Sequence, residues 1–309
     1  MNIGIIGTGD MGKLYAREFA RAGYTVNCCD LPERMSQLEK ELEGTGVRVL
    51  PNGHAVSRTS DLIFYLVEVE NIGSAVAQYA QSTREDTIVS SGTSVMAPAI
   101  EAFEKYMPRN VNVINWHWLF GPSVKPQGQL TALVNYRSTP FAYQRTRETF
   151  ESVGTRIVEL SSYQEHDKIT ADTQAVTQVG FQAMGTTWKN MGDFPWEDPT
   201  YVGGIDNVKV LMCLRIYNGK PHVYAGLAIH NSYAREQIRH YSKSVSDLFS
   251  LMIQENEGQL RERVSAARDF IFRNGKSPIP LDNRVMGEFS LGTIPPDRKR
   301  PNSHLSLLA

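Results

Sequence analysis

Asn2-Ile3-Gly4-Ile5-Ile6-Gly7-Thr8-Gly9-Asp10-Met11-Gly12 stands at the start of the 309-residue chain. Its apolar beginning has no helical spacing and reads as a buried strand. Met11, Leu14, Tyr15, Phe19 and Ala20 then recur on one helical face, and Gly23 stands where that helix should stop. Between strand and helix lies the spacing G-x-G-x-x-G. Gly7 permits the tight turn, Gly9 lets the backbone approach a pyrophosphate, and Gly12 lets helix and strand pack closely. Thr8, Asp10 and Met11 complete the loop, and the phosphates sit on N–H groups at the positive end of the helix. Three glycines at this spacing are weak evidence alone, because turns use glycine anyway. The strand before them, the helix after them and an acid beyond the next strand point to a dinucleotide site.

That acid is Asp30, 18 residues after Gly12 and at the tip of the strand Thr25–Cys29. An acid there accepts hydrogen bonds from ribose hydroxyls and favours NAD. Arg34, one helical turn further on, either faces water or covers the 2′-phosphate of NADP. On these residues alone NAD is the better fit. Further strand-like runs follow at Val47–Leu50, Leu62–Val67, Thr87–Ser90, Val111–Asn115 and Thr155–Leu160, with helical patterns between several of them. Such alternation implies a mainly parallel, doubly wound sheet. Beyond Leu160 the patterns turn long and helical, from Tyr163 to Asn190 and from His222 to Phe272, the latter with Ile229, Ile238, Tyr241, Val245, Leu248, Phe249 and Met252 at helical intervals. The expected fold is therefore α/β: a Rossmann-type nucleotide-binding domain over 1–160, then a mostly α-helical domain over 161–309. Gly275–Pro301, with Arg298-Lys299-Arg300, reads as irregular. The apolar end Ser303–Ala309 reads as a helix cut short.

Length agrees with about two domains. Lys plus Arg number 32 and Asp plus Glu 33, a net charge of −1, which argues against a nucleic-acid binder or a polybasic membrane protein. The 41% apolar and 21% charged residues are ordinary for a soluble globular protein. Cys28, Cys29 and Cys213 make no disulfide framework and have no metal-ligand spacing. They read as reduced, buried thiols, so a cytoplasmic protein without a metal is expected. No apolar run is long enough to span a membrane, and the N-terminus has no signal-peptide pattern.

In an open parallel sheet, ligands bind beyond the carboxyl ends of the strands. Ser91-Gly92-Thr93-Ser94 follows one such end and Trp116-His117-Trp118-Leu119-Phe120-Gly121-Pro122 another. His117 thus falls where a nicotinamide ring is expected, and a neutral imidazole is the natural base for a hydroxyl proton near neutral pH. A lone histidine is as often structural. Ser94 either bonds His117 and a substrate hydroxyl or caps a helix starting near Val95. Glu68 and Glu70 read as loop residues without chemistry. His166, Thr170, Gln174 and Gln178, four apart, share one side of a helix that faces either water or a site. Arg215 lies in the apolar Leu211–Tyr217 and calls for an anionic partner, an internal acid or a substrate carboxylate.

With these residues in view, the chain resembles the prephenate dehydrogenase family, above all its fungal NADP-linked branch, over essentially its whole length. The glycine loop Gly4–Gly12, His117 with Phe120-Gly121-Pro122, Glu165–Thr177 and His222–Ala228 carry the resemblance, and the last two segments are the more specific. The resemblance implies a helical second domain that mediates a homodimer, and NADP as cofactor, against the NAD suggested by Asp30. It implies oxidative decarboxylation of prephenate to 4-hydroxyphenylpyruvate in tyrosine biosynthesis. His117 matches the histidine that hydrogen-bonds the substrate's ring hydroxyl, Ser94 a serine touching both, and Arg215 an arginine that binds a substrate carboxylate. His166, Gln174 and Gln178 are the further candidate substrate contacts. Two positions depart from the pattern: Met96 where many relatives carry Lys, and Gln178 where many carry His, which removes a group able to become cationic. Fungal-type relatives continue past the point where this chain stops, so a fragment is expected. The rival readings are an arogenate dehydrogenase, a β-hydroxyacid dehydrogenase (for which no compelling lysine stands in the second domain) and a protein that senses NADP without turnover.

Overall fold

The apolar runs become strands where turn residues bound them and helices where their spacing lengthens. The structure, a computed structural model, describes residues 1–192, 194 and 205–272. Strands β1 (Asn2–Ile6), β2 (Thr25–Cys29), β3 (Arg48–Val49), β4 (Leu62–Tyr65), β5 (Ile88–Ser91), β6 (Asn112–Trp118), β7 (Leu130–Arg137) and β8 (Arg156–Leu160) form one eight-stranded sheet. Helices α1 (Asp10–Arg21), α2 (Met35–Glu41), α3 (Gly53–Thr59), α4 (Ile72–Tyr79), α5 (Ala97–Tyr106) and α6 (Pro140–Ser152) connect them. The order β3-β2-β1-β4-β5-β6-β7-β8 switches direction at β1, the point beside which doubly wound sheets bind their ligands. Every neighbouring pair is parallel except β6 and β7.

Burial on both faces explains why the central strands read as unbroken apolar runs. Ile3, Ile5, Phe64, Trp116 and Trp118 point to one layer, with Tyr15, Phe19 and Phe150. Ile6, Ile63, Tyr65, Val89 and Val113 point to the other, with Phe103.

Contacts divide the chain into two units, Met1–Thr173 with Ala225–Arg235, and Gln174–Tyr224 with Glu236–Ala309. The first holds the sheet and also α7 (Tyr163–Thr170), so it runs past the expected residue 160. Helix α7 stays with the sheet because its Asp167 bonds the start of α5. A six-residue π-helical segment, Ala171–Val176, links α7 to α8 (Thr177–Met191). The remaining helices are α9 (Ile205–Tyr217), α10 (Pro221–His230), α11 (Ala234–Ile253) and α12 (Glu257–Ile271). In the second unit Tyr217 lies over Gly185, where an added Cβ would stand 2.3 Å from the ring, and the Tyr217 hydroxyl donates to the Gln182 carbonyl at 2.7 Å. The stretch Gly275–Pro301 and the end Ser303–Ala309 lie outside the described residues. Among the described residues no helix is long and apolar enough to cross a membrane.

Two elements differ from expectation. Strand β6 continues through His117 to Trp118, past Asn115, and β7 was not read from the sequence at all. The two explain each other: antiparallel pairing of Trp116, His117 and Trp118 with Leu133, Ala132 and Thr131 holds the backbone extended beyond the end of the parallel sheet.

Candidate active site

The loop after β1 has the backbone that its glycines predict. Gly7 has φ +92°, a left-handed value, and a Cβ there would also strike the Leu66 carbonyl oxygen at 2.7 Å. A Cβ on Gly12 would lie 2.4 Å from the Gly7 carbonyl oxygen, so α1 can start this close to β1 only with glycine there. A Cβ on Gly9 would meet nothing within 4 Å. That open space lies before the amino end of α1, where backbone amides favour an anion, and it suits a pyrophosphate.

Asp30 ties this loop to β2. Its Oδ2 accepts from the Thr8 backbone N–H at 3.1 Å and its Oδ1 from the Leu31 N–H at 2.9 Å. The Thr8 hydroxyl donates to the Cys29 carbonyl at 2.8 Å. Arg34 Nη1 lies 3.1 Å from Asp30 Oδ2, with the aspartate side chain 8% and the arginine 46% exposed. The guanidinium therefore neutralises a nearly buried carboxylate while keeping donors free to face outward. Acid and cation together fit a nucleotide ribose and offset the repulsion that Asp30 alone would exert on a 2′-phosphate.

On β6 the strand period decides which way the base points. Trp116 and Trp118 enter the core, where Trp116 Nε1 donates to the Tyr15 hydroxyl at 3.1 Å. Large-to-small loss of one such indole typically costs about 3–5 kcal/mol, so the strand is firmly seated. Asn115 and His117 take the opposite face. Asn115 Oδ1 accepts from the Ser91 N–H at 2.7 Å and from the Ser91 hydroxyl at 3.1 Å, joining the carboxyl ends of β5 and β6.

His117 is buried and has a partner on each ring nitrogen. Nε2 lies 3.1 Å from the Ser94 Oγ, and Nδ1 lies 3.1 Å from His166 Nε2. His166 Nδ1 in turn lies 2.8 Å from Asp167 Oδ1. Asp167 also accepts from the backbone N–H groups of Met96 at 2.8 Å and Ala97 at 2.9 Å. Burial, with a smaller contribution from His166, pulls the His117 pKa down to about 3. The imidazole is therefore neutral near pH 7 and has a lone pair available for a proton.

Several sequence expectations change here. Ser94 does not cap α5: that helix starts at Ala97, no side chain at its own N-cap serves it, and Asp167 supplies the acceptor from a distant segment. His166 is 1% exposed with both ring nitrogens engaged inside the protein, so it has no edge left for a substrate. Thr170 is buried too. The four-residue stripe ends there, because the π-helical segment Ala171–Val176 shifts the register by which Gln174 and Gln178 would share that side. Gln174 and Gln178 belong to the second unit and are half-buried; Gln178 Oε1 is buried without a hydrogen-bond partner among the described residues. Arg215 also lies in the second unit and is exposed. Its apolar neighbours misled: Val210, Cys213 and Ile216 take the buried side of α9, while Leu211, four residues before Arg215, is exposed as well. Glu68 and Glu70 are exposed. Sequence reasoning missed Asp167 and Asn231. Asn231 Nδ2 donates to the Asp167 carbonyl at 2.7 Å and to the Thr170 hydroxyl at 3.3 Å. The one available signal was the His166-Asp167 dipeptide, an acid beside an imidazole.

Residues 2–161 match the NAD binding domain of 6-phosphogluconate dehydrogenase, and residues 175–309 match a 6-phosphogluconate dehydrogenase C-terminal domain. The chain is 42% identical over 312 residues to the probable NADP(+) prephenate dehydrogenase of Schizosaccharomyces pombe, covering 99% of this chain and 72% of that protein. It is 44% identical to the NADP(+) prephenate dehydrogenase of Saccharomyces cerevisiae, covering 99% of this chain and 70% of that one. This chain belongs to the prephenate dehydrogenase family. The family fold is also seen in a crystal structure of prephenate dehydrogenase from A. aeolicus, which superposes with a TM-score of 0.69 at 18% identity over 87% of this chain and 96% of that one. In this prephenate dehydrogenase family member, the glycine loop, Asp30 with Arg34, and the Ser94–His117 pair all lie in the first unit, at carboxyl ends of parallel strands.

Proposed function

We propose that this chain oxidises prephenate with NADP, with loss of carbon dioxide, to 4-hydroxyphenylpyruvate for tyrosine biosynthesis. The observation that carries the proposal is a neutral, buried His117 paired with Ser94 on the same sheet edge as the glycine loop. The loop Gly7–Gly12 with the amino end of α1 would hold the pyrophosphate, and Asp30 with Arg34 the adenosine ribose and its 2′-phosphate. When bound, the oxidised nicotinamide accepts a hydride from the hydroxyl-bearing ring carbon. His117 Nε2 draws the hydroxyl proton, and Ser94 orients that hydroxyl and the imidazole. Loss of the ring carboxylate makes the ring aromatic, which supplies the driving force. The protein's task is therefore to orient the hydroxyl and weaken its O–H bond.

Family resemblance supports Arg215 as the anchor of a substrate carboxylate, and its exposure leaves the guanidinium available. Gln174 and Gln178 are proposed as further polar contacts, whereas His166 is assigned to hold His117 from behind. A homodimer through the helical unit is also proposed. Leu211, Phe249, Met252 and Ile253 are between 50% and 67% exposed there, which is apolar surface for a second copy to cover. The free, buried Cys28, Cys29 and Cys213 support a cytoplasmic location.

The test compares prephenate, arogenate and 3-hydroxyisobutyrate, each with NADP and NAD, by the absorbance of reduced nicotinamide. Prephenate with NADP is expected to give the highest kcat/KM. Preference for arogenate, or tight NADPH binding with no turnover of any of the three, would overturn the proposal.

A further inference from the structure

We propose that His166 and Asp167 form a buried proton relay behind His117, so that the proton taken from the substrate hydroxyl comes to rest on His166 against the Asp167 carboxylate. The relay rests on His117 being the base of the reaction proposed above.

The hydrogen-bond order dictates the tautomers. Asp167 is an acceptor: two backbone N–H groups at the start of α5 donate to it. His166 Nδ1, at 2.8 Å from the same carboxylate, must therefore carry a hydrogen. A neutral His166 then has its lone pair on Nε2, which accepts from His117 Nδ1–H at 3.1 Å. That leaves the His117 lone pair on Nε2, the nitrogen facing Ser94. One carboxylate thus orients two rings in series, as an aspartate behind a histidine base fixes its tautomer in other enzymes.

The same order moves a proton without moving an atom far. The substrate O–H bond breaks and a bond to His117 Nε2 forms. The His117 Nδ1–H bond breaks and a bond to His166 Nε2 forms. The O–H electron pair stays on oxygen as the carbonyl forms, and the hydride leaves its carbon for the oxidised nicotinamide. His117 ends neutral and His166 ends as an imidazolium beside a carboxylate. Burial opposes a charge on His117, whereas a buried charge is tolerated when it is paired and hydrogen-bonded.

The titratable groups around the relay are consistent with a cation there. Tyr163 on α7 is raised by burial and then by its neighbours Tyr136 on β7, Glu101 on α5, Asp167 and Tyr233, which are phenols and carboxylates. Lys168, the basic residue next along α7, is exposed. A purely structural network would need neither the defined tautomers nor the second histidine's basicity.

The first measurement is imidazole 15N spectroscopy on the full chain without ligands. It should show hydrogen on Nδ1 of both His117 and His166. A hydrogen on Nε2 of His117 overturns the relay, and this reading needs no variant to fold. The second compares wild type with His166→Asn and His166→Gln. Loss of an orienting group behind a reactive one typically costs about 10–100-fold, expected here in kcat. KM for prephenate and the NADPH Kd should stay within about twofold, since a relay acts only in the reacting state. The rate in mixed H2O and D2O should change from a bowed dependence, with two protons in flight, to a linear one. An unchanged kcat in both variants overturns the relay. Wild type inert towards prephenate would refute the substrate assignment instead, and the nitrogen spectra would still decide the relay.

Discussion

Arg34→Ala should turn the cofactor preference from NADP towards NAD. In the structure the guanidinium lies 3.1 Å from Asp30 Oδ2, and the carboxylate is 8% exposed while the arginine is 46% exposed. A 2′-phosphate at this ribose would meet both groups. Removing the arginine deletes a charge-assisted hydrogen bond, worth about 1.5–3 kcal/mol. It also leaves the Asp30 charge unopposed and repelling the phosphate. At about 1.4 kcal/mol per tenfold, the ratio of kcat/KM for NADP to that for NAD should fall about 10–100-fold. NAD itself should bind as well or better, because its ribose hydroxyls can donate to a freed Asp30. The fold should hardly notice, since a half-exposed ion pair contributes about 0–1 kcal/mol. The assay is initial rates with prephenate at varied NADP and NAD, with the melting temperature as control. Equal loss with both cofactors would show that Arg34 only braces the loop, and the reasoning would be wrong.

Gly12→Ala should abolish NADPH binding and lower the melting temperature, because the new Cβ would lie 2.4 Å from the Gly7 carbonyl oxygen. Relief requires shifting α1 off β1, an overpacking cost of about 1–3 kcal/mol, readable by fluorescence titration and thermal melts. Stability should fall with acidity between pH 6.5 and about 3, the interval between the ordinary histidine pKa and that of native His117. Across that interval the unfolded chain binds a proton that native His117 refuses, so ΔG of unfolding rises with pH. Melts of wild type and His117→Asn over pH 4–7 should converge at the acid end. Burial pushes the Cys28 thiol up to about 11 and the Cys29 thiol to about 12, so neither should react with a thiol reagent at pH 8 until the protein unfolds.

The parts of this fold written in short-range pattern were legible. Gly7, Gly9 and Gly12 bear their reasons locally, and Asp30 is found by counting from them. His117 was located by topology, because a strand end in a doubly wound sheet is a site whatever its residues. Its partner Ser94 followed from the neighbouring strand end. What stayed hidden depends on distant segments. Strand β7 makes β6 longer, and Trp116-His117-Trp118 read as a loop without it. The cap of α5 comes from Asp167, 71 residues beyond Met96. His166 read as a site-facing residue because a regular helix was assumed, and the π-helical segment after Thr170 breaks that regularity. Arg215 read as buried because apolar neighbours in sequence need not be neighbours in space: α9 puts Cys213 inside and Arg215 out.

The chemistry proposed for this chain stands on His117 acting as the base, and His117→Asn tests that most directly. With prephenate and NADP saturating, kcat should fall by about 10²–10⁴, the usual worth of a positioned base. NADPH should bind within about twofold of wild type, because the glycine loop is untouched. A variant that turns over as fast as wild type would contradict the account, whatever its affinity for the nucleotide.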